Sequence, residues 1–570
     1  MKLLRTLCVL CVCSSAGWSL DREAFSISKY DLEIRLDAEQ QRLGARGTIT
    51  LRNDSVQAQK IVALQISSSL NWRAIRVGGK TVQFVSQPYT SDIDHTGALS
   101  EAVVTLPVEV KPKDSVEIEI GYEGVIALDT TRLSRVGVPE GIAKHSSWDQ
   151  ISPSFTAVRG AGYVAWYPIT TESADFSEGN SLFEVSDRWK ARESGSSMAI
   201  NLCSSSNSDR KETMLMGDSL PGAGSVRRTP STSYGCSEHR FETLGSVTPA
   251  FVAANYGMQS KAPVDIFILP GHEAGATTYS NALEPATKFV NEWFGPSSTA
   301  VTIADFADPH SAPFESGAML MASMAVEDSK LAGINLVHEL VHSSLSSSRP
   351  WIYEGLAHFA EAMYRQEQGG RQAALDFLGL HRAAFLDSEK ELTASPKSIG
   401  QPLVSTFSET YYRSKAAYVW WMLRDMIGDD ALKSAIRKYR PQDDDDKDPK
   451  YVERLIASAS KRDLSWFFDD WVYHDRGLPD FRVQSAHPWT TDKGVQFVTV
   501  SLENLGNAGA EIPFTVSSGG GEVTNRIEVR AKSTATTRVQ LPAAPTQIVI
   551  NDGSVPESDL TNNAFRISAP

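Results

Sequence analysis

The segment VHELVHSSLSSSRPWIYEGLAHFAE, residues 337–361, carries two histidines four apart and then two glutamates seven apart. His338 and His342 lie in GINLVHELVHSSL, a stretch that reads as helix. Four residues is about one helical turn, so both imidazoles leave the same face and can converge on one ion. Glu339 sits one step round, where its carboxylate can reach a metal-held water without being a ligand; that division of labour is the mechanical content of H-E-x-x-H. A second helix opens after the SSSRP turn, with Pro350 near its start. A short turn makes the two helices antiparallel neighbours, so a glutamate early in the second can face the histidines of the first. Glu354 and Glu361 share nearly one face but stand about 10 Å apart along the axis, so only one of them can reach the ion. Three protein ligands with an open fourth position make a catalytic zinc site, and this block has no cysteine to close a structural one. The chemistry indicated is hydrolysis by a zinc-activated water.

These residues resemble the gluzincin metallopeptidases, in particular the alanyl-aminopeptidase family. There H-E-x-x-H is followed by W-[LI]-x-E-G-[FL]-A, whose glutamate is the third zinc ligand, and WIYEGLA (351–357) matches at every stated position. The family usually separates the second histidine from this glutamate by eighteen residues; here there are eleven, and the usual spacing would select Glu361. Loops tolerate deletion more readily than a local phrase tolerates mimicry, so the resemblance implies one zinc ion held by His338, His342 and Glu354. Glu361 is then a supporting residue, and His358 either hydrogen-bonds within the site or is a half-buried helix histidine. YYRSKAAYVWWMLRDMIGDDAL (411–432) is similar to the family helix Y-x-K-G followed by M-L, whose tyrosine stabilises the oxyanion. Lys415, Met422 and Leu423 keep that register, but the tyrosine position falls on Arg413. Tyr412 is the expected oxyanion donor, with Tyr411 and Arg413 as alternatives. WFFDDWVYHDRGLPDF resembles the closing helix of the family.

One phrase departs. The family has G-x-M-E-N, whose backbone lies along the substrate and whose glutamate binds the free α-amine. In FESGAMLMASM (314–324), Gly317, Ala318 and Met319 remain and are expected to pair with substrate backbone, but Leu320 stands where the glutamate should be. An apolar side chain cannot satisfy an ammonium; Glu315 could do so from another direction. The resemblance implies a peptide or protein substrate, with Glu339 as general base, and leaves aminopeptidase against endopeptidase action open. Two other readings are a catalytically silent binding scaffold and a zinc hydrolase of a non-peptide bond.

The surrounding sequence must hold these residues in place. Residues 20–261 alternate in the manner of half-buried strands, as in YDLEIRLD and SVEIEIGYEG. From 262 to 478 two short apolar strands give way to helices at 329–346, 351–368, 370–386 and 410–426, among others; the resemblance implies that this block is a thermolysin-like peptidase domain. Residues 479–570 return to strands separated by Gly, Asn and Pro turns, a small immunoglobulin-like sandwich. The fold class expected is therefore multidomain α+β. Residues 1–19 read as a signal peptide, with Lys2 and Arg5 ahead of an apolar run too short to span a bilayer, and imply a secreted or periplasmic protein. Of the five cysteines only Cys203 and Cys236 lie beyond it, an even number expected to form a disulfide. The net charge of −14, two units more negative without Lys2 and Arg5, argues against nucleic acid or an anionic membrane as partner. The acidic run DDDDKD (443–448) reads as a solvated turn.

Overall fold

The structure is a computed structural model that describes residues 20–90, 98–135, 137–170, 182–205, 212–217, 234–325, 328–394, 401–441 and 448–567. The expected signal peptide and most of the DDDDKD run lie outside the described residues.

The N-terminal part is built on sheets. A seven-stranded sheet runs in the order Tyr234–Phe241, Ser197–Ser205, Phe25–Asp37, Arg42–Asn53, Ser115–Val125, Leu70–Val77, Lys80–Thr81. Alternation in YDLEIRLD turns Leu32, Ile34 and Leu36 into the core, where they are buried together with Ile118 and Ile120 of the strand Ser115–Val125. Cys203 and Cys236 face each other across neighbouring antiparallel strands and form the disulfide. A three-stranded sheet of Gln59–Ser67, Ala98–Val110 and Phe84–Thr90 shares this core. Glu101, on its central strand, is fully buried and accepts hydrogen bonds from Arg22 (2.7 Å), Gln65 (3.0 Å) and Gln87 (2.8 Å).

The middle of the chain positions the site. Strands β1 (Gly257–Lys261), β2 (Val264–Ile268), β3 (Val301–Asp305), β4 (Phe314–Ser316) and β5 (Met319–Ala322) form one sheet in the order β1-β2-β3-β5-β4. β2, β3 and β5 are parallel; β4 returns antiparallel along β5 and forms the outer edge. Helix α1 (Glu273–Trp293) packs with helix α2 (Ser329–Ser344) in the main core. The Asp328 carboxylate caps α2 by accepting from the amides of Lys330 and Leu331. Helix α3 (Pro350–Ala394) is broken at Gly370, whose φ of 78° no helix accommodates, in agreement with the two helices expected on either side of that point. Helix α4 (Ala416–Ile427) follows a π-helical turn at Thr410–Lys415.

The WxxEGxA phrase has a packing reason. Trp351 of α3 stacks on Trp420 of α4 with centroids 5.1 Å apart, and the Trp420 indole N–H donates to the Trp351 carbonyl at 3.1 Å. A Cβ on Gly355 would fall 2.6 Å from the Ala416 Cβ. Gly355 thus lets α3 and α4 approach closely with Glu354 on the neighbouring position. Lys415 is buried as well, with its ammonium 2.7 Å from Asp475, just beyond the helical turn Asp469–Tyr473, and 3.7 Å from Glu389.

The last part comprises two antiparallel sheets, Phe481–Thr490/Gln496–Asn504/Thr534–Leu541 and Gly521–Val529/Ala510–Ser518/Pro545–Ile550/Ala564–Arg566, with the apolar faces of a β-sandwich. Its core is continuous with that of the helices. Asp425 of α4 ties the two, pairing with Arg371 (2.7 Å) and Arg526 (3.2 Å), while Arg371 also holds Asp552 (2.8 Å). Among the described residues no helix is long and apolar enough to cross a membrane.

Candidate metal centre

The pairings between α2 and α3 run in opposite directions, as the short turn requires: the His342 ring stacks on Tyr353 and the His338 ring packs against His358. His338 and His342 turn their Nε2 atoms toward one another, 3.0 Å apart. Glu354 offers one oxygen 3.9 Å from His338 Nε2 and the other 3.7 Å from His342 Nε2. Glu361, two turns along, reaches the opposite side of His338 and accepts from its Nδ1 at 2.7 Å. A carboxylate there fixes the ring orientation and leaves Nε2 to face His342 and Glu354. His358 lies 3.4 Å from the second Glu361 oxygen.

A further carboxylate belongs to this group. Glu315, on the edge strand β4, stands 2.9 Å from His338 Nε2 and 3.6 Å from His342 Nε2. Ligand atoms of Glu315, His338, His342 and Glu354 all lie within 4.8 Å of one another. Gly317 and Ala318 form the turn of the β4–β5 hairpin, Gly317 with φ 62°, and Ala318 O already accepts from Thr302 N at 2.9 Å. Met319 is buried in β5 with neighbours on both sides. The outer strand beside the site is Phe314–Ser316, one arm of the hairpin before the GAM string; Leu320 pairs with Glu315 across the hairpin, and Ser316 is buried against Gly217 and Thr248.

Glu339 is fully buried, and neither of its oxygens has a hydrogen-bond partner. Glu354 Oε2 is likewise buried without one. Orphaned buried carboxylate oxygens are costly. Burial, and then the charge of Glu315, push the Glu354 carboxyl up to about 7 and hold Glu339 well above the usual carboxylate range. Burial depresses His342 to about 4, so its imidazole is neutral and its nitrogen is a ready donor to a metal. Burial opposes the charge on His338, but the carboxylates of Glu315 and Glu361 at its two nitrogens hold its pKa well above the usual value. A divalent cation among two imidazoles and these carboxylates would relieve the like-charge crowding, and the nitrogen–oxygen donor set suits zinc.

The π-helical turn decides what else faces the ligands. The Arg413 guanidinium lies 3.5 Å from Glu354, 3.6 Å from Glu315 and 2.6 Å from Glu409. Tyr412 is buried, and its hydroxyl accepts from the Lys190 ammonium at 3.3 Å. Tyr411 turns toward Phe385 and Lys415. Tyr412, Arg413, Glu315, Gly317 and Lys190 border one cavity of about 340 Å³ that opens on His338, Glu339 and Glu354. Lys190 comes from the N-terminal part, on a helix for which the sequence offered no signal of a site. A second cavity, of about 860 Å³, lies on the His342 and Tyr353 side of the hairpin and reaches Ala318 and Met319.

Neither a protein-family model nor a curated protein sequence matches the chain. Among solved structures it is similar to Legionella pneumophila aminopeptidase A in complex with aspartic acid, with a TM-score of 0.61 and 11% identity over 94% of this chain and 59% of that one. The present chain therefore spans well under two thirds of the Legionella enzyme's length. It is also similar to a mutant of an M1 zinc metallopeptidase from Deinococcus radiodurans, with a TM-score of 0.48 and 13% identity over 81% of this chain and 97% of that one. The Legionella likeness extends over nearly the whole chain, and the chain has an aminopeptidase-like fold with a His/Glu cluster at the helix pair.

Proposed function

We propose that the protein is a zinc-dependent peptidase that acts outside the cytoplasm, with His338, His342 and Glu354 holding one ion. The observation that carries this reading is the convergence of His338 Nε2, His342 Nε2 and the Glu354 carboxylate from two antiparallel helices onto one point. A zinc ion bound there supplies Lewis acidity, which acidifies water and polarises a carbonyl. Glu339, buried beside that point with no other partner, takes the proton from the attacking water and passes it to the leaving amine. Arg413 projects a guanidinium toward the ligand carboxylates and serves as the electrophile for the developing oxyanion, the role first expected of Tyr412. Tyr412, hydrogen-bonded to Lys190, lines the wall where the N-terminal part meets the site. Substrate backbone adds along the outer strand at Phe314 and Glu315 and the turn at Gly317 and Ala318, with Met319 paired behind it. Glu315 on that strand supports aminopeptidase action, since it gives a substrate α-ammonium a carboxylate that Leu320 could not.

Metal analysis of the purified protein, with chelator-reversible cleavage of a peptide library carrying free and acetylated amino termini, tests the reading. Zinc near one equivalent and cleavage confined to free amino termini are expected. A protein without metal, or cleavage unaffected by chelator, contradicts it. The disulfide and the apolar start of the sequence support export.

A further inference from the structure

We infer that Glu315 is a fourth protein ligand that closes the metal site at rest and is drawn off it by the amino group of the substrate. The inference rests on the peptidase reading above but goes beyond its three-ligand site. A tetrahedral zinc with bonds of about 2.0–2.2 Å to nitrogen and oxygen has ligand atoms about 3.4 Å apart. The separations among His338 Nε2, His342 Nε2 and the nearest Glu354 oxygens are 3.0, 3.9 and 3.7 Å. Those from Glu315 to the same nitrogens are 2.9 and 3.6 Å. Glu315 is therefore nearer to both imidazoles than the expected third ligand is. A carboxylate that only received a substrate amine across a metal-held water would stand further off, beyond one coordination bond and one hydrogen bond.

The two carboxylates differ in how they are held. Glu354 is locked in a helix by the Trp351–Trp420 stack and the close approach at Gly355. Glu315 sits on a three-residue edge strand, and its side chain keeps 17% exposure toward the cavity, against 6% for Glu354. It is the ligand free to leave. With Glu315 bound, all four positions are protein and the second carboxylate damps the charge of the ion. When an α-ammonium enters the cavity, Glu315 exchanges one cationic partner for another, and the position it vacates opens to solvent and to the scissile carbonyl. The carboxylate–metal contact is exchanged for a water–metal contact, no covalent bond is made or broken, and the carboxylate ends paired with the ammonium. A substrate with a blocked amino terminus cannot make the exchange, which gives exopeptidase selectivity without a separate anchor.

The test compares the full chain with Glu315→Gln. Zinc affinity is measured by chelator competition, and coordination by the visible absorption of the cobalt-substituted protein. Removing a ligand should weaken zinc binding at least as much as the loss of an outer-shell partner, about 10–100-fold, and should change the cobalt spectrum. L-alaninol, a free amine with no scissile bond, should shift the wild-type spectrum toward that of the variant; N-acetyl-L-alaninol should not. Glu315→Asp, which withdraws the carboxylate by one methylene, should match Glu315→Gln spectrally and serves if the glutamine variant misfolds. Equal affinities and identical spectra overturn the assignment of Glu315 while leaving the peptidase reading intact. A weakened variant with no response of the wild type to the free amine overturns the exchange. Wild-type protein that takes up neither metal overturns the peptidase reading, and the inference with it.

Discussion

His338 is held between two carboxylates, Glu315 at Nε2 and Glu361 at Nδ1, and this one ring explains much of the site. Glu361 lies at the spacing the resemblance leads one to expect of a ligand yet contacts the rear nitrogen, because two helical turns carry it past the point where the Nε2 atoms converge. Glu361→Gln should weaken zinc binding about 10–100-fold while leaving the fold unchanged; chelator competition and circular dichroism check this, and unaltered affinity would show that the ring needs no such support. Glu339→Gln should lower kcat by about 10²–10⁴-fold with zinc retained, since the amide keeps the shape but cannot accept the proton. Measured turnover near wild type would remove Glu339 from the reaction. That Glu354, and not Glu361, faces both Nε2 atoms was readable from residue types in a local phrase. Glu315 was readable only as a possibility. It precedes the GAM string that invites alignment, and only the hairpin reveals that the strand before the turn brings a carboxylate to the His/Glu cluster.

At the scale of elements, the phrase around Glu354 is legible in sequence because it encodes a contact between helices. Gly355→Ala should cost about 1–3 kcal/mol through overpacking against Ala416, and should loosen zinc binding as Glu354 shifts. Chemical denaturation with and without zinc measures both effects. The π-helical turn at Thr410–Lys415 was not legible. One extra residue in a turn leaves no periodic trace, yet it sets Arg413 toward the ligands and Tyr412 toward Lys190. In the N-terminal sheets, strand alternation announced the buried faces but not the Glu101 network. Burial opposes the charge on Glu101, but hydrogen bonds from Arg22, Gln65 and Gln87 hold its pKa below the ordinary 4.5. A carboxylate with a depressed folded-state pKa stabilises the fold above its unfolded value, and that stabilisation is lost as pH falls through the folded value. Glu101→Gln should therefore cost about 1–3 kcal/mol at neutral pH, and the difference from wild type should shrink below about pH 4. A gap that stays constant with pH would assign the cost to packing alone.

The whole molecule joins three kinds of architecture, and two of them share a core. Apolar residues run without a break from the helices of the middle part into the C-terminal sandwich, and the Trp471 indole donates to Gly509 O at 2.8 Å across the junction. Unfolding of the helices and the sandwich should thus occur in one transition, and a chain ended after residue 478 should be poorly soluble or melt well below the full chain. Separate transitions in calorimetry would show two independent bodies. Composition foretold sheets, helices and sheets in that order, since local periodicity is set by which face is buried. It could not foretell that the N-terminal part supplies Lys190 to the wall of the site, because that contact joins residues 222 apart. On the proposed function, His338, His342 and Glu354 grip a single ion. Anomalous X-ray scattering at the zinc edge, from crystals of the purified full chain, locates it. One peak is expected within about 2.0–2.2 Å of both Nε2 atoms and a Glu354 oxygen; a peak elsewhere, or none with zinc in excess, would remove these residues as the ligands.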